Sequence, residues 1–209
     1  MQQKWKGWKT RALILTLIWI LLLAASLYLL DLLHTTFVNN PQGQGMLNKA
    51  WAGYVVASDL ERPHEQIIGV NASWTVPRIG VFSSDAFSSA WIGIGGQFDK
   101  TLIQAGTEHD SVNGQEYYSA WYELLPDKAV RITDMRISAG DLIVASIDLV
   151  DPDTNQWAIR IYDVTKGEGF YQTFVYNSPR LSAEWIVERP TVNDEVSLLA
   201  NFGTLTFRD

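Results

Sequence analysis

The sequence predicts an all-β fold, an antiparallel two-sheet β-sandwich preceded by one N-terminal transmembrane helix, on three observations. Beyond residue 50 the apolar residues recur with period two more often than 3.6. Turn residues separate these runs, and no long helical pattern intervenes. Before residue 34, by contrast, one long uncharged apolar run follows Lys4, Lys6, Lys9 and Arg11.

Composition sets the outer bounds. The chain has 209 residues, 47% hydrophobic and 19% charged, enough apolar material for one membrane segment and one globular domain. It contains no cysteine, which removes a disulfide-stapled fold, a cysteine-ligated zinc site and a thiol nucleophile together. Four of the 16 basic residues precede the first acid, Asp31, so the other 12 face all 23 acids. So acidic a domain is a poor nucleic-acid binder, because phosphate contacts need clustered Lys and Arg. No nucleic-acid partner is expected.

Residues 1–11 form a basic segment. Residues 12–30 carry no charge; at roughly 1.5 Å per residue they nearly span a hydrocarbon core. Leu32 and Leu33 extend the run, so residues 12–33 read as a transmembrane signal anchor. No cation follows until Lys49, and the positive-inside rule puts residues 1–11 in the cytoplasm and the remainder outside. The rival is a cleaved signal peptide with Ala24, Ala25 and Ser26 as its small-residue site, but the apolar run continues well past them. Either way the domain is extracytoplasmic, held to the membrane by the helix or secreted once it is cleaved. Residues 34–48, with Asn39, Asn40, Pro41, Gly43 and Gly45, suit a short tether, and the globular domain occupies 49–209.

Within it the runs SSAWIGIG, TLIQAG, YYSAWYELL, LIVASIDLV, QWAIRIYDV, YQTFVY, AEWIVE and GTLTF read as short strands. Gly95-Gly96, Asn113-Gly114, Asp151-Pro152-Asp153 and Gly167-Glu168-Gly169 supply turns. Neither an internal repeat nor a low-complexity tract is present, which disfavours a propeller or solenoid.

Strand alternation says which side chains share a face. Ala90, Ile92 and Ile94 form a core face, and Trp91, Gly93 and Gly95 the opposite one, where glycines beside an aromatic fit either the close approach of another backbone or a bulge. Ser119, Trp121 and Glu123 share one face of the next aromatic strand. Glu184, Ile186 and Glu188 share one face of the AEWIVE strand.

The blocks AWAGYVV (50–56), SWTVP (73–77), AWIGIGG (90–96), LIQAGTE (102–108), AWYELLPD (120–127), AEWIVERP (183–190) and FGTLTF (202–207) resemble, in order, those of the glutamic peptidases, the eqolisin family. The resemblance implies a concanavalin A-like sandwich with the active site on the concave sheet. It implies an acid-acting endopeptidase with a protein or peptide substrate, no metal and no cofactor. It places the catalytic dyad on Gln104 and Glu188, with Glu184 the competing choice on the same strand face. Trp91, Trp121, Glu123 and Gly95 fall on its substrate-binding positions. The implied chemistry is general base and acid catalysis by an ionised Glu188 on a water, with Gln104 holding the water and donating to the oxyanion. Many members carry an acid where this chain has Gly95. The members compared also continue past FGTLTF, so a C-terminally truncated sandwich with an exposed edge is expected. Oligomeric state is not legible.

Other chemistries fit less well. No G-x-S-x-G occurs. His109, in Thr107-Glu108-His109-Asp110, reads as a turn residue, since no partner ligand stands at a metal-binding spacing. Asp151-Pro152-Asp153 lacks the rest of a calcium loop. For a glycoside hydrolase, Glu184 and Glu188 would stand roughly 13 Å apart, too wide for paired carboxylates, while Glu123 with Glu188 stays open. The remaining alternative is a non-catalytic peptide- or glycan-binding sandwich, with Trp91 and Trp121 stacking on ligand.

Overall fold

The computed structural model describes residues 50–80, 84–192 and 195–208. The expected basic segment, anchor and tether lie outside the described residues. Among the described residues no helix is long and apolar enough to cross a membrane.

The described chain is all β and its ladders are antiparallel. A six-stranded sheet is built on a meander of β3 (Ala86–Gly95), β4 (Leu102–Val112) and β5 (Gln115–Leu124). β10 (Ala183–Glu188) and β1 (Trp51–Val56) extend it on one side and β6 (Val130–Ile132) on the other, in the order β1-β10-β3-β4-β5-β6. The second sheet has the order β2-β7-β8-β9, from β2 (Gly69–Thr75), β7 (Leu142–Asp151), β8 (Gln156–Asp163) and β9 (Glu168–Val175). β11 (Thr191–Val192) and β12 (Glu195–Val196) form a small hairpin of their own.

The meander owes one corner to Asn113-Gly114, whose φ values of 51° and 74° are both positive, the geometry that matches the twist of a two-residue hairpin. Alternation then sorts the side chains. Ala90, Ile92 and Ile94 of β3 with Ile103 and Ala105 of β4 pack against Ile143, Ala145 and Ile147 of β7 and Ile159 and Ile161 of β8, in one core between the sheets. Period two in the sequence thus marked the buried face correctly.

Two sequence readings fail here. GTLTF forms no strand: its neighbourhood makes a single isolated bridge, in which Ser73 and Arg208 exchange backbone hydrogen bonds of 2.6 and 2.9 Å on the outer side of β2. Phe207 meets Trp74 edge-on, at 5.7 Å between ring centroids. His109 is not in a turn either. It sits inside β4, 1% exposed. Thr107 Oγ1 lies 2.9 Å from its Nε2 and accepts Trp74 Nε1, also at 2.9 Å, while Ser88 Oγ lies 3.3 Å from its Nδ1. Burial pushes this imidazole down to about 3, so it is a neutral core group, its polar ring satisfied by hydroxyls.

Candidate active site

The six-stranded sheet turns its other face away from that core, and its register lines the side chains into cross-strand rows. Glu184 of β10 stands opposite Gly93 of β3, which faces Gln104 of β4, which faces Glu123 of β5. The next row runs Ile186, Trp91, Gly106, Trp121 and Arg131. The third runs Trp51, Glu188, Ser89, Glu108 and Ser119.

The rows give the backbone positions of both acids. Glu184 is two strands away from Gln104 in the same row, about 10 Å between Cα atoms at ordinary strand spacing. Glu188 starts four residues further along β10, about 13 Å in the strand direction, but its side chain leans back over the intervening row, where Trp91 Nε1 donates to it, and its carboxyl is near enough to Glu123, the partner of Gln104, for the two to repel. Gly93 lies between Glu184 and Gln104, and a Cβ there would stand 2.9 Å from Leu102 Cδ1 and 3.0 Å from Trp91 Cζ3. Leu102 and Trp91 thus cover Gly93 between acid and amide.

Within the first row, Gln104 Nε2 donates to Glu123 Oε2 at 2.5 Å, and Gln104 Oε1 has no hydrogen-bond partner among the described residues. Burial pushes the Glu123 carboxyl up, offset by hydrogen bonds from Gln104 and the Ala129 backbone. Glu184 is fully buried, and neither carboxyl oxygen meets a partner in hydrogen-bond geometry. Burial pushes it up to about 8; the Ser182 hydroxyl acts against this and the charge of Asp99 adds to it.

Trp91 and Trp121 are not open groove walls. They are 0% and 8% exposed and pack with Leu102 and Ile186 into a second apolar cluster, in and beside the middle row of this face. Trp91 Nε1 donates to Glu188 Oε2 at 2.8 Å. The Trp51 indole is a second partner of that carboxyl and meets Trp91 edge-on at 5.0 Å. Burial raises Glu188, these two indoles lower it, and Glu123 raises it again. Gly95 closes the strand rather than lining a groove: its φ is +93°, and a Cβ would lie 2.4 Å from the Thr101 carbonyl oxygen.

Three groups on this face were given no role from the sequence. Trp51 was inside a quoted block, but only the β1–β10 register sets it against Glu188. Glu108 and Asp110 were masked by the turn reading of their tetrapeptide, although alternation with Gln104 could have placed them. Burial raises Glu108. It pushes Asp110 up to about 8, with Glu108 adding repulsion and Arg131 opposing it.

Comparison with known proteins agrees with this architecture. The Peptidase A4 family matches residues 49–209. Aspergillopepsin-2 of Aspergillus niger is 29% identical over 181 residues, covering 75% of this chain and 61% of the relative. Scytalidopepsin B of Scytalidium lignicola is 31% identical over 144 residues, covering 66% of this chain and 50% of the relative. The chain thus spans only part of the length of these curated relatives. Among solved structures, scytalido-glutamic peptidase with a transition state analog inhibitor superposes with a TM-score of 0.64 at 24% identity, over 78% of this chain and 80% of that one. Aspergilloglutamic peptidase from Aspergillus niger gives 0.52 at 32% identity, over 56% of this chain and 71% of that one.

Proposed function

The chain belongs to the peptidase A4 family, the glutamic peptidases, and from that premise we propose that it is an acid-acting endopeptidase in which Gln104 and Glu188 act on one water molecule. The observation that carries this reading is the Gln104–Glu123 hydrogen bond on the same sheet face as Glu188, whose carboxyl is near enough to Glu123 to be repelled by it.

Glu188 is the working carboxyl. Burial raises it and the Trp91 and Trp51 indoles lower it. Ionised, it takes a proton from a water as that water attacks the scissile carbonyl carbon, leaving the negative charge on the former carbonyl oxygen. On collapse of this tetrahedral species the protonated carboxyl gives the proton to the leaving nitrogen and is regenerated as the carboxylate. Gln104, its Nε2 engaged by Glu123, turns Oε1 to accept a hydrogen of the water.

The substrate class is an extended protein or peptide chain. Residues 12–33 anchor the chain in a membrane with the domain on the extracytoplasmic side; the uncharged run and the cations before it support this. Protease accessibility of the domain in intact cells, against its distribution between membrane and medium, tests that placement.

The test of activity is cleavage of an acid-denatured protein by the full-length chain at about pH 4, near the free glutamate value, beside Glu188→Gln and Gln104→Ala, each checked for folding by circular dichroism. Turnover by the wild type alone is the expected result. Turnover by folded Glu188→Gln, or none from the folded wild type, overturns the reading.

A further inference from the structure

Two acids on the active face, Glu108 and Asp110, have no part in the chemistry above. The third row sets Ser89 between Glu188 and Glu108, with Ser119 on the far side of Glu108. A fourth row sets Asp110 between Phe87 and Tyr117, two residues further along β4 and so about 7 Å beyond the third. Leu199 closes the flank of Phe87: the Phe87 amide donates to the Leu198 carbonyl at 2.8 Å, and the Ala200 amide to the Phe87 carbonyl at 2.9 Å. Alternation turns Ser88 to the core, where it meets His109, and Ser89 to the side of Trp91, whose indole meets Glu188. Ser89 is 3% exposed, yet its hydroxyl oxygen has no partner, and Asp110 Oδ1 is buried without one as well. Among the described residues neither Glu108 nor Asp110 forms an ion pair. Buried polar atoms are ordinarily satisfied, and what these carboxyls and this hydroxyl lack is a donor carrying positive charge.

We propose that Asp110, Glu108 and Ser89 form a subsite for a basic side chain of the substrate, a lysine or arginine within two residues of the scissile bond. The spacing sets that distance, because about 7 Å past the row of Glu188 is the rise of two residues in an extended chain. Phe87 offers its ring to the methylene stem, since long cationic side chains lie along apolar surface. The two carboxylates at the head then accept charge-assisted hydrogen bonds. The charged and titratable groups around them are Glu188 on β10, Tyr117 on β5 and the exposed Arg131 on β6, while β3 presents only Phe87 and Ser89. Burial raises Glu108, against Arg131 and with Glu188; burial and Glu108 raise Asp110, again against Arg131. A bound cation acts in the same sense as Arg131 and draws both acids into the charged form that holds it. The place of the scissile bond rests on the reading of Glu188 and Gln104 as the dyad.

The test uses the full-length chain and short peptides that carry lysine or leucine in turn at each position flanking the central bond. One set is cleavable; in the other a neutral hydroxyethylene group replaces that bond. Affinity for the uncleavable set is measured at about pH 6, where a bound cation can hold the acids ionised, beside kcat/KM for the cleavable set. At one position lysine is expected to bind about tenfold tighter than leucine, with kcat/KM following. In Asp110→Asn, which is isosteric, and in Glu108→Gln the ratio of the two affinities is expected to fall toward one. Asp110→Glu keeps the charge and is expected to keep a preference for lysine. No preference for lysine at any position, or one that persists undiminished in both Asp110→Asn and Glu108→Gln, overturns the proposal. A preference that these variants abolish in a chain cleaving neither peptide sustains the subsite and places the failure in the peptidase reading instead.

Discussion

Gln104 donates its side-chain amide to Glu123 across the β4–β5 ladder, at 2.5 Å, and the two residues are direct register partners. An amide so tethered keeps its orientation, which leaves its buried carbonyl oxygen without a hydrogen-bond partner among the described residues.

That tether predicts a graded response at Glu123. Glu123→Gln keeps an acceptor for the Gln104 amide and should retain most of the turnover. Glu123→Ala should lower kcat by about 10- to 150-fold with little change in KM, the loss of one hydrogen bond to a charged group being worth ~1.5–3 kcal/mol. Equal kinetics for the two variants would remove Glu123 from the orientation of Gln104.

Glu184 and Glu188 should separate sharply. Glu188→Gln is expected to lose about 10²–10⁴-fold in kcat, the range of a general acid–base group. Glu184→Gln, at an enclosed position, should stay within about tenfold of wild type, one hydrogen bond's worth. The reverse order of losses would move the dyad to Gln104 and Glu184.

That choice shows where the sequence stops being informative. Period two revealed that Glu184, Ile186 and Glu188 share a face, because alternation is a local property of a strand. Which of them meets Gln104 depends on how β10 slides against β3, a long-range pairing that carries no local signal. His109 was misread for a related reason. Thr107-Glu108-His109-Asp110 has the composition of a turn, yet every second residue faces a core polar enough, through Trp74 and Ser88, to satisfy an imidazole. GTLTF erred in the other direction: its alternation is genuine, but no ladder receives it.

Stability should peak in mild acid. Glu184 and Asp110 ionise near 4.5 and 3.8 in an unfolded chain and only at about 8 in the fold. The folded state holds the extra protons between those values, so stability falls as pH rises through that window. His109 works oppositely, its value dropping from 6.5 to about 3 on folding, so stability is lost as pH falls through that interval. Two carboxyls outweigh one imidazole, which puts the maximum near about pH 4. Denaturant midpoints at pH 4, 6 and 8 should decrease in that order, and less steeply in Glu184→Gln; a maximum at pH 8 would contradict the burial of these acids.

Restoring an acid at position 95 should harm the fold. The φ of +93° and the 2.4 Å approach to the Thr101 carbonyl leave no room for a Cβ. Gly95→Asp is expected to cost about 1–3 kcal/mol, read as a Tm lowered by about 2–12 °C for a domain this size. An unchanged Tm would show that the turn adapts.

The pairing of Ser73 with Arg208 bears on solubility. β2 is the outermost strand of its sheet, and such a strand offers bare amides and carbonyls on which a neighbouring molecule can zip. Arg208 occupies that place at Ser73, with Phe207 tucked against Trp74, so this segment serves as a guard against polymerisation. Clipping residues 205–209 should leave the dyad intact and still turn a clear solution cloudy, a change that light scattering would register before any assay of cleavage did.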